Sequence, residues 1–447
     1  MLTDYWMPLR YHATQAALWD YTGPYAAVVA GRGGGKTEIA RRKIVYSLAI
    51  KKKWPDPMYF YSLPTYPQAK KVAWKPLLNL IPMEWIKGYN PKKHKKSMEK
   101  EDLTGVSVSD MCITTVFGSC LYVVGMDKPH RIEGLQFDGG IIDESSDQKP
   151  GTFKLSLLPT LTHRNPFCWR IGVPKRDGAG RVEFRAFFEK GLRGEAGIKS
   201  FHWASEEILT EEQRNSKKDI KTKEDYDEQY RAMWLEAGGT IYHAYSERNV
   251  SESAYYRPEC EIVVGCDFNV DPMSWTLGHV IDEKLYVFDE IFIKNINTAK
   301  TLNHLFQRFE YHENGFRFFC DASASYRKSN ADKTDFIIIK NDRRFSKFKE
   351  HQVFFFKKNP KLKTRFATVN SLLCNAKGVV KLFIHPKCIH LIDDMKLMSY
   401  KKGTMDPENY EGTDIGHISD GLGYKVCRMF PMRLQEDTQP VVITSAV

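Results

Sequence analysis

The stretch "VVAGRGGGKTEIARR", beginning at Val28, constrains the fold more than any other part of the chain. Glycine loses more conformational freedom on folding than any other residue, so such a cluster persists only where the backbone needs unusual angles. Tyr25 to Val29, just before it, is apolar and reads as a buried strand, whereas Lys36 to Ile50 repeats apolar residues at helical spacing. Strand, glycine loop and helix in that order form a phosphate cradle, with loop amides and the helix N-terminus aimed at an anion. Ala30 holds the place of the first glycine of the P-loop pattern, and Gly35, Lys36 and Thr37 close it. The candidate cradle is Ala30, Gly31, Arg32, Gly33, Gly34, Gly35, Lys36 and Thr37, and its expected ligand is a nucleoside triphosphate, ATP.

Hydrolysis needs a second element that holds Mg2+ and positions water. "FDGGIIDESS" from Phe137 supplies one, an apolar strand ending in Asp143 and Glu144. Asp143 fits the metal shell together with the Thr37 hydroxyl, and Glu144 fits the group that polarises the attacking water. Between loop and acids lie "MYFYSLPTYPQAKKVAWKPLLNLIP", read as strand, turn and helix, and a strand pair, Met111–Gly118 and Cys120–Gly125. A helical "TFKLSLLPTL" and a strand "FCWRIGVP" follow. This alternation predicts a parallel, doubly wound sheet with the nucleotide at the strand C-termini.

A chain of 447 residues exceeds one typical core, so two or three domains are expected. No apolar run is long enough for a membrane span and no signal-peptide pattern opens the chain, so a soluble intracellular protein without a membrane partner is expected. The nine cysteines form no C-x-x-C pair, which suggests neither a zinc site nor a disulfide framework. A net charge of +11 favours a polyanionic partner. Basic runs start at Pro91 ("PKKHKKSMEK"), Lys340 ("KNDRRFSKFKEH") and Lys357 ("KKNPKLKTR").

Charged helical sequence from about Glu206 to Ala237 reads as a linker stopped by "GGT" at Gly238. "EIVVGCDFN" is then a strand ending in Asp267, followed by a hairpin, "MSWTLGHVIDEKLYVFDEIFI", with Glu290 late in its second strand. "FRFFCDASA" is a strand ending in Asp321; helix Phe366–Ala376 comes next, and "GHISDGLGYKVCRMF" is a helix carrying Asp420. Strand acid, hairpin, strand acid and helix acid is the order of a ribonuclease-H-like nuclease. In-line phosphodiester cutting benefits from two Mg2+ or Mn2+ ions, and hard divalent ions want several carboxylates brought together. Asp267, Asp321 and Asp420 are the expected metal ligands, with Asp271, Asp414 and Glu290 as possible helpers. Asp414 serves equally well as the cap of the last helix, and Asp393 and Asp394 read as helix surface. Gly421 and Gly423 weaken that helix but let its backbone approach the sheet. The last two basic runs lie between Asp321 and Asp420, where cations would hold a DNA backbone without reading sequence.

"LPTYPQAKKVAW", "HRIEGLQFDGGIIDE", "LLPTLTHRNPFCWRIGVP", "AGRGGGKT", "GCDFN", "CDASA" and "HISDGLGY" together resemble the large terminase subunit of tailed bacteriophages, over about Tyr5 to Arg428. The resemblance implies a DNA-packaging enzyme: an ATPase that drives double-stranded DNA into the procapsid and a metal-dependent endonuclease that cuts the genome concatemer. It implies that Arg32 is the family's additional loop arginine, that Gln15 reads adenine and that Gly172-Val173-Pro174 couples hydrolysis to movement. Val173 stands where related motors carry Ser or Thr, and Gly421 where the family carries Ala. The implied partners are double-stranded DNA, the portal protein, the small terminase subunit and other copies of the chain in a ring docked on the portal, in the host cytoplasm. The expected architecture is α/β: a P-loop ATPase domain with a parallel sheet (1–205), a helical linker (206–250), a ribonuclease-H-like nuclease domain (251–430) and a flexible tail (431–447). An ATP-dependent helicase with a fused nuclease is the alternative, but there is no second P-loop for a second motor domain.

Overall fold

A computed structural model describes residues 11–92, 99–269, 271–325, 334–348 and 351–431. Most of the basic run from Pro91, the end of the run from Lys340 and the expected tail lie outside the described residues. The chain divides into two compact units, Met1–Arg214 with Asp227–Glu236, and Asn215–Tyr226 with Ala237–Val447. No helix among the described residues is long and apolar enough to cross a membrane.

The first unit is built on eight strands: β1 (Tyr25–Ala30), β2 (Met58–Leu63), β3 (Val106–Ser107), β4 (Cys112–Thr114), β5 (Cys120–Gly125), β6 (Gly139–Ile142), β7 (Phe167–Gly172) and β8 (Ile198–Trp203). Their order is β3-β4-β5-β2-β6-β7-β1-β8. All neighbours from β5 to β8 pair in parallel. β1, β2 and β6 are buried nearly end to end, as expected of parallel strands covered on both faces. β4 pairs antiparallel with β3 and with β5, a departure from the expected parallel sheet that is clearest between β4 and β5. Its cause is local: Thr115 N–H donates to Ser119 O at 2.9 Å, so the expected strand Met111–Gly118 ends in a tight turn. A connection that short joins only antiparallel neighbours.

The charged segment after Glu206 is not one helix. It forms two, Glu211–Ile220 and Lys223–Gln229, and the chain beyond them turns back into the first unit, burying Tyr230 and Ala232. The residues read as a linker are therefore shared between both units.

The second unit contains β9 (Gly239–Thr240), β10 (Ile262–Asp267), β11 (Met273–Ile281), β12 (Lys284–Ile293), β13 (Phe316–Cys320), β14 (His351–Phe355), β15 (Leu382–Ile384) and β16 (Ser399–Tyr400). Six of them form a sheet in the order β14-β13-β10-β11-β12-β15. The central hairpin is antiparallel, whereas β13 lies parallel to β10 and β14 parallel to β13. Cys266 pairs with Cys320, so Asp267 and Asp321 emerge side by side at the ends of adjacent parallel strands. The helix His417–Met429 packs on β10, β11 and β13, burying Ile418, Leu422 and Val426. The expected helix Phe366–Ala376 spans Leu362–Leu373.

Candidate active sites

In the first unit the glycine loop joins β1 to the helix Lys36–Leu48. Gly35 caps that helix at φ 75°, a left-handed conformation that a side chain would strain. The loop carbonyls are tied from outside. Gly34 O accepts from Gln15 Nε2 at 2.9 Å and from Trp203 Nε1 at 2.6 Å, and Arg32 O accepts from Ser205 Oγ at 2.6 Å. Arg32 N–H donates to Gln229 O at 2.6 Å, while its side chain is exposed. Gln15 is buried against the loop. Lys36 curls back to Gly31 O at 3.4 Å. Burial pulls its ammonium below the usual lysine value, against the opposing pull of Glu144 and Asp143.

Thr37 Oγ1 donates to Asp143 Oδ2 at 3.1 Å, linking the loop helix to the end of β6. Tyr61 hydroxyl donates to the same oxygen at 2.6 Å, and Glu144 N–H donates to Oδ1 at 2.8 Å. Burial, with Glu144 alongside, holds Asp143 above the ordinary carboxylate range. Glu144 itself sits at φ 51°, ψ 46°, a conformation that costs a non-glycine residue energy and that the surrounding structure must impose. Its carboxylate meets Lys175 Nζ at 2.9 Å. Burial alone would raise Glu144, but Lys175, Lys36 and Arg32 together outweigh it and hold the carboxyl below its usual value. Lys175 also binds Asp147. Sequence reasoning missed Lys175; its one signal is its position directly after the Gly172-Val173-Pro174 segment. In that segment Val173 is buried, and its carbonyl accepts a hydrogen bond from the Ser146 hydroxyl. The hydroxyl in this contact thus comes from the strand-end acids' own loop rather than from position 173.

In the second unit Asp267, Asp321 and Asp420 gather at one end of the sheet, and the charge of Asp267 reaches both of the others. What brings Asp420 in is a backbone-to-backbone approach: a Cβ on Gly265 would lie 2.2 Å from Gly421 O, and one on Gly421 would lie 2.9 Å from Gly265 O. Asp267 Oδ2 accepts from Asn269 Nδ2 at 2.7 Å and lies 3.5 Å from His417 Nδ1, a contact that raises the imidazole's pKa. Asp420 Oδ1 lies 2.9 Å from Arg365 Nη1. Burial raises Asp420 to about 6, against the pull of Arg365 and with added repulsion from Asp267. Asp321 is raised mainly by burial, and its Oδ1 is buried with no hydrogen-bond partner among the described residues.

Three hard carboxylates, one with an unspent buried oxygen, suit a hard divalent cation. Among the described residues, though, no three acids, histidines or cysteines already converge as a metal site. Glu290 is spent elsewhere: it accepts from His390 N–H at 3.0 Å and Leu391 N–H at 3.1 Å, capping the helix Ile389–Leu397. Asp271 and Asp414 line a cavity of about 620 Å³ that reaches Asp420. Asp414 does not cap the last helix; it pairs with Lys294 at 2.8 Å, in solvent. The cap is Asp394, which accepts from Gly416 N–H at 2.8 Å and Ser419 N–H at 3.0 Å. Asp394 is therefore 1% exposed rather than on the helix surface, because four orphan amides at a buried helix start need an acceptor. In the run from Lys340, Arg344 binds Asp342 and stacks on Phe306, so part of its charge serves the fold.

No family model matches the sequence, and no curated protein matches it. Solved structures do. The large terminase of a thermophilic bacteriophage superposes with a TM-score of 0.56 at 13% identity, covering 94% of this chain and 99% of that one. The same phage protein in complex with ATP-γ-S gives a TM-score of 0.55 at 14% identity, with the same coverage of both chains. At this identity the likeness concerns the fold, and it extends over both units. The chain has the large-terminase fold: a P-loop unit with a mainly parallel sheet, followed by a ribonuclease-H-like α/β unit.

Proposed function

We propose that this chain is the large subunit of a phage DNA-packaging terminase, an ATPase that drives double-stranded DNA into the procapsid and an endonuclease that cuts it. The observation that carries this reading is the presence, in one chain, of a phosphate loop bridged to a strand-end acid by Thr37 and Asp143 and of a separate three-acid cluster. The thermophilic phage terminase forms a complex with ATP-γ-S, and the same ligand class fits this loop. Lys36 would lie on the β- and γ-phosphates, Thr37 and Asp143 would hold Mg2+, and Glu144 would take the proton of the attacking water. Arg32 would face the phosphates from the exposed side of the loop, and Gln15 would face adenine.

In the second unit Asp267, Asp321 and Asp420 would hold Mg2+ or Mn2+, which supplies an activated water and steadies the leaving oxygen. The net charge of +11 supports a DNA partner bound without sequence readout. The portal, the small terminase subunit and a ring of copies complete the proposed assembly. A helicase-nuclease reading is disfavoured because the chain has one phosphate loop.

The test is DNA uptake. Purified chain mixed with portal-bearing procapsids should protect duplex DNA from added nuclease only with ATP. Lys36→Ala should lose both hydrolysis and uptake, whereas Glu144→Gln should keep nucleotide binding and lose about 10²–10⁴-fold in turnover. Normal ATP turnover in the Lys36 variant would overturn the motor.

A further inference from the structure

Resting on the nuclease reading above, we propose that Arg365 is a built-in cation that competes with divalent metal for Asp420, so that metal enters only as this ion pair parts. Arg365 projects from the helix Leu362–Leu373, and its side chain is 7% exposed. Its Nη1 lies 2.9 Å from Asp420 Oδ1, and its guanidinium stacks over the Tyr424 ring at 4.6 Å. The platform is itself tied down: Asn359 Nδ2 donates to the Tyr424 hydroxyl at 3.3 Å, and Asn359 Oδ1 accepts from Ala322 N–H at 2.7 Å, next to Asp321. The stem runs alongside Gly423, where a Cβ would sit 3.4 Å from Arg365 Cδ.

Three features separate this arginine from an ordinary structural one. A guanidinium cannot be deprotonated, so its charge at the cluster is permanent. Neither its Nε nor its Nη1 makes a well-directed hydrogen bond among the described residues, so its contact with Asp420 is an ion pair by distance, which a competing cation can replace without breaking an aligned hydrogen bond. Asp420 is the one acid of the three that comes from a helix rather than from a strand end, and Arg365 is what holds its carboxylate. Asp267 is engaged by Asn269 and His417 and Asp420 by Arg365, whereas Asp321 keeps one buried oxygen without a partner among the described residues. A cation at ion-pair distance subtracts directly from the negative potential that draws a divalent ion. Such a device would keep cutting low until substrate and metal act together.

The test is calorimetric titration of Mn2+ into the nucleotide-free full chain, comparing wild type, Arg365→Gln and Asp267→Asn. Arg365→Gln is expected to bind Mn2+ at least about tenfold more tightly, because an opposite charge beside a carboxylate has been removed. Its thermal midpoint should also rise further on adding Mn2+. Equal or weaker Mn2+ binding by folded Arg365→Gln, with binding lost in Asp267→Asn, overturns the competition and leaves the nuclease reading standing. No Asp267-dependent Mn2+ binding in any variant overturns both. A second measurement needs no variant: in the Mn2+-loaded wild-type crystal structure the pair should be parted, and Asp420 on the metal with Arg365 still in contact overturns the proposal.

Discussion

Lys175 grips Glu144, with Nζ 2.9 Å from Oε2, and the same ammonium binds Asp147. One cation thus connects the segment after β7 to the loop after β6. Lys175 is the largest of the charges that keep Glu144 ionised, so its removal should let burial dominate. If Glu144 acts as the proposed base, Lys175→Met should move the acid limb of the ATPase pH profile upward, because a base must lose its own proton before it can accept one. Nucleotide binding should be retained. An unchanged acid limb in a variant with normal binding would detach Lys175 from the chemistry.

The last helix meets the sheet at Gly265 and Gly421, and the two glycines in that helix should answer differently to alanine. In a helix, Gly→Ala gains up to about 1 kcal/mol from propensity. At Gly421 the new Cβ would lie 2.9 Å from Gly265 O, a backbone atom with nowhere to go. Forcing the helix away should cost about 1–3 kcal/mol and displace Asp420 from Asp267, lowering metal-dependent cutting. At Gly423 the Cβ would meet only the flexible Arg365 stem at 3.4 Å, so propensity should win and stability should rise. Thermal unfolding and plasmid nicking of both variants check this, and a stabilised, fully active Gly421→Ala protein would refute the tight approach.

The cap of the same helix offers a cleaner contrast. Asp394 is buried and accepts two amides at its start, whereas Asp414 is a solvent ion pair. Asp394→Ala should cost about 1–3 kcal/mol by orphaning those amides. Asp414→Ala should leave the unfolding midpoint unchanged. Equal effects of the two substitutions would return the cap to Asp414.

Those residues also mark where the sequence stops being legible. Asp143, Asp267 and Asp321 end apolar strands, and strand-end acids announce themselves by pattern. The glycine loop does so by the strand before it and the helix after it. Thr37 and Asp143 meet because parallel strands deliver both to one edge of the sheet, so their pairing follows from the order of elements. Asp394, Lys175 and Arg365 are different. Each acts on a segment that its own neighbourhood in the chain does not predict, through a contact made only once the fold has formed. The return of Asp227–Glu236 into the first unit is hidden for the same reason: its charge pattern is that of a solvated helix, while its packing is set by Tyr230 and Ala232.

Lys425, on the Asp420 helix, carries the clearest pH dependence. It is fully buried, and its Nζ donates to Thr276 O at 3.2 Å and Val263 O at 3.4 Å, with no carboxylate in ion-pair range among the described residues. Burial lowers its pKa to about 7. The unfolded chain keeps an ordinary lysine value near 10.5. Between those values the unfolded state holds a proton that the folded state lacks, so the native protein gains stability as pH rises from 7 toward 10. Below pH 7 the full penalty applies, on the order of 5 kcal/mol before the carbonyl hydrogen bonds offset part of it. Lys425→Met, similar in length and apolar, should therefore stabilise the second unit at pH 7 by about 1–3 kcal/mol. The gain should shrink to nothing or reverse near pH 10, where most of the penalty is gone and the neutral wild-type amine keeps its two acceptors. Urea unfolding, followed by amide exchange in β10 and β11 at pH 7 and pH 10, reads both numbers. A variant less stable at pH 7, by an amount that does not change with pH, would mean that the hydrogen bonds outweigh the buried charge.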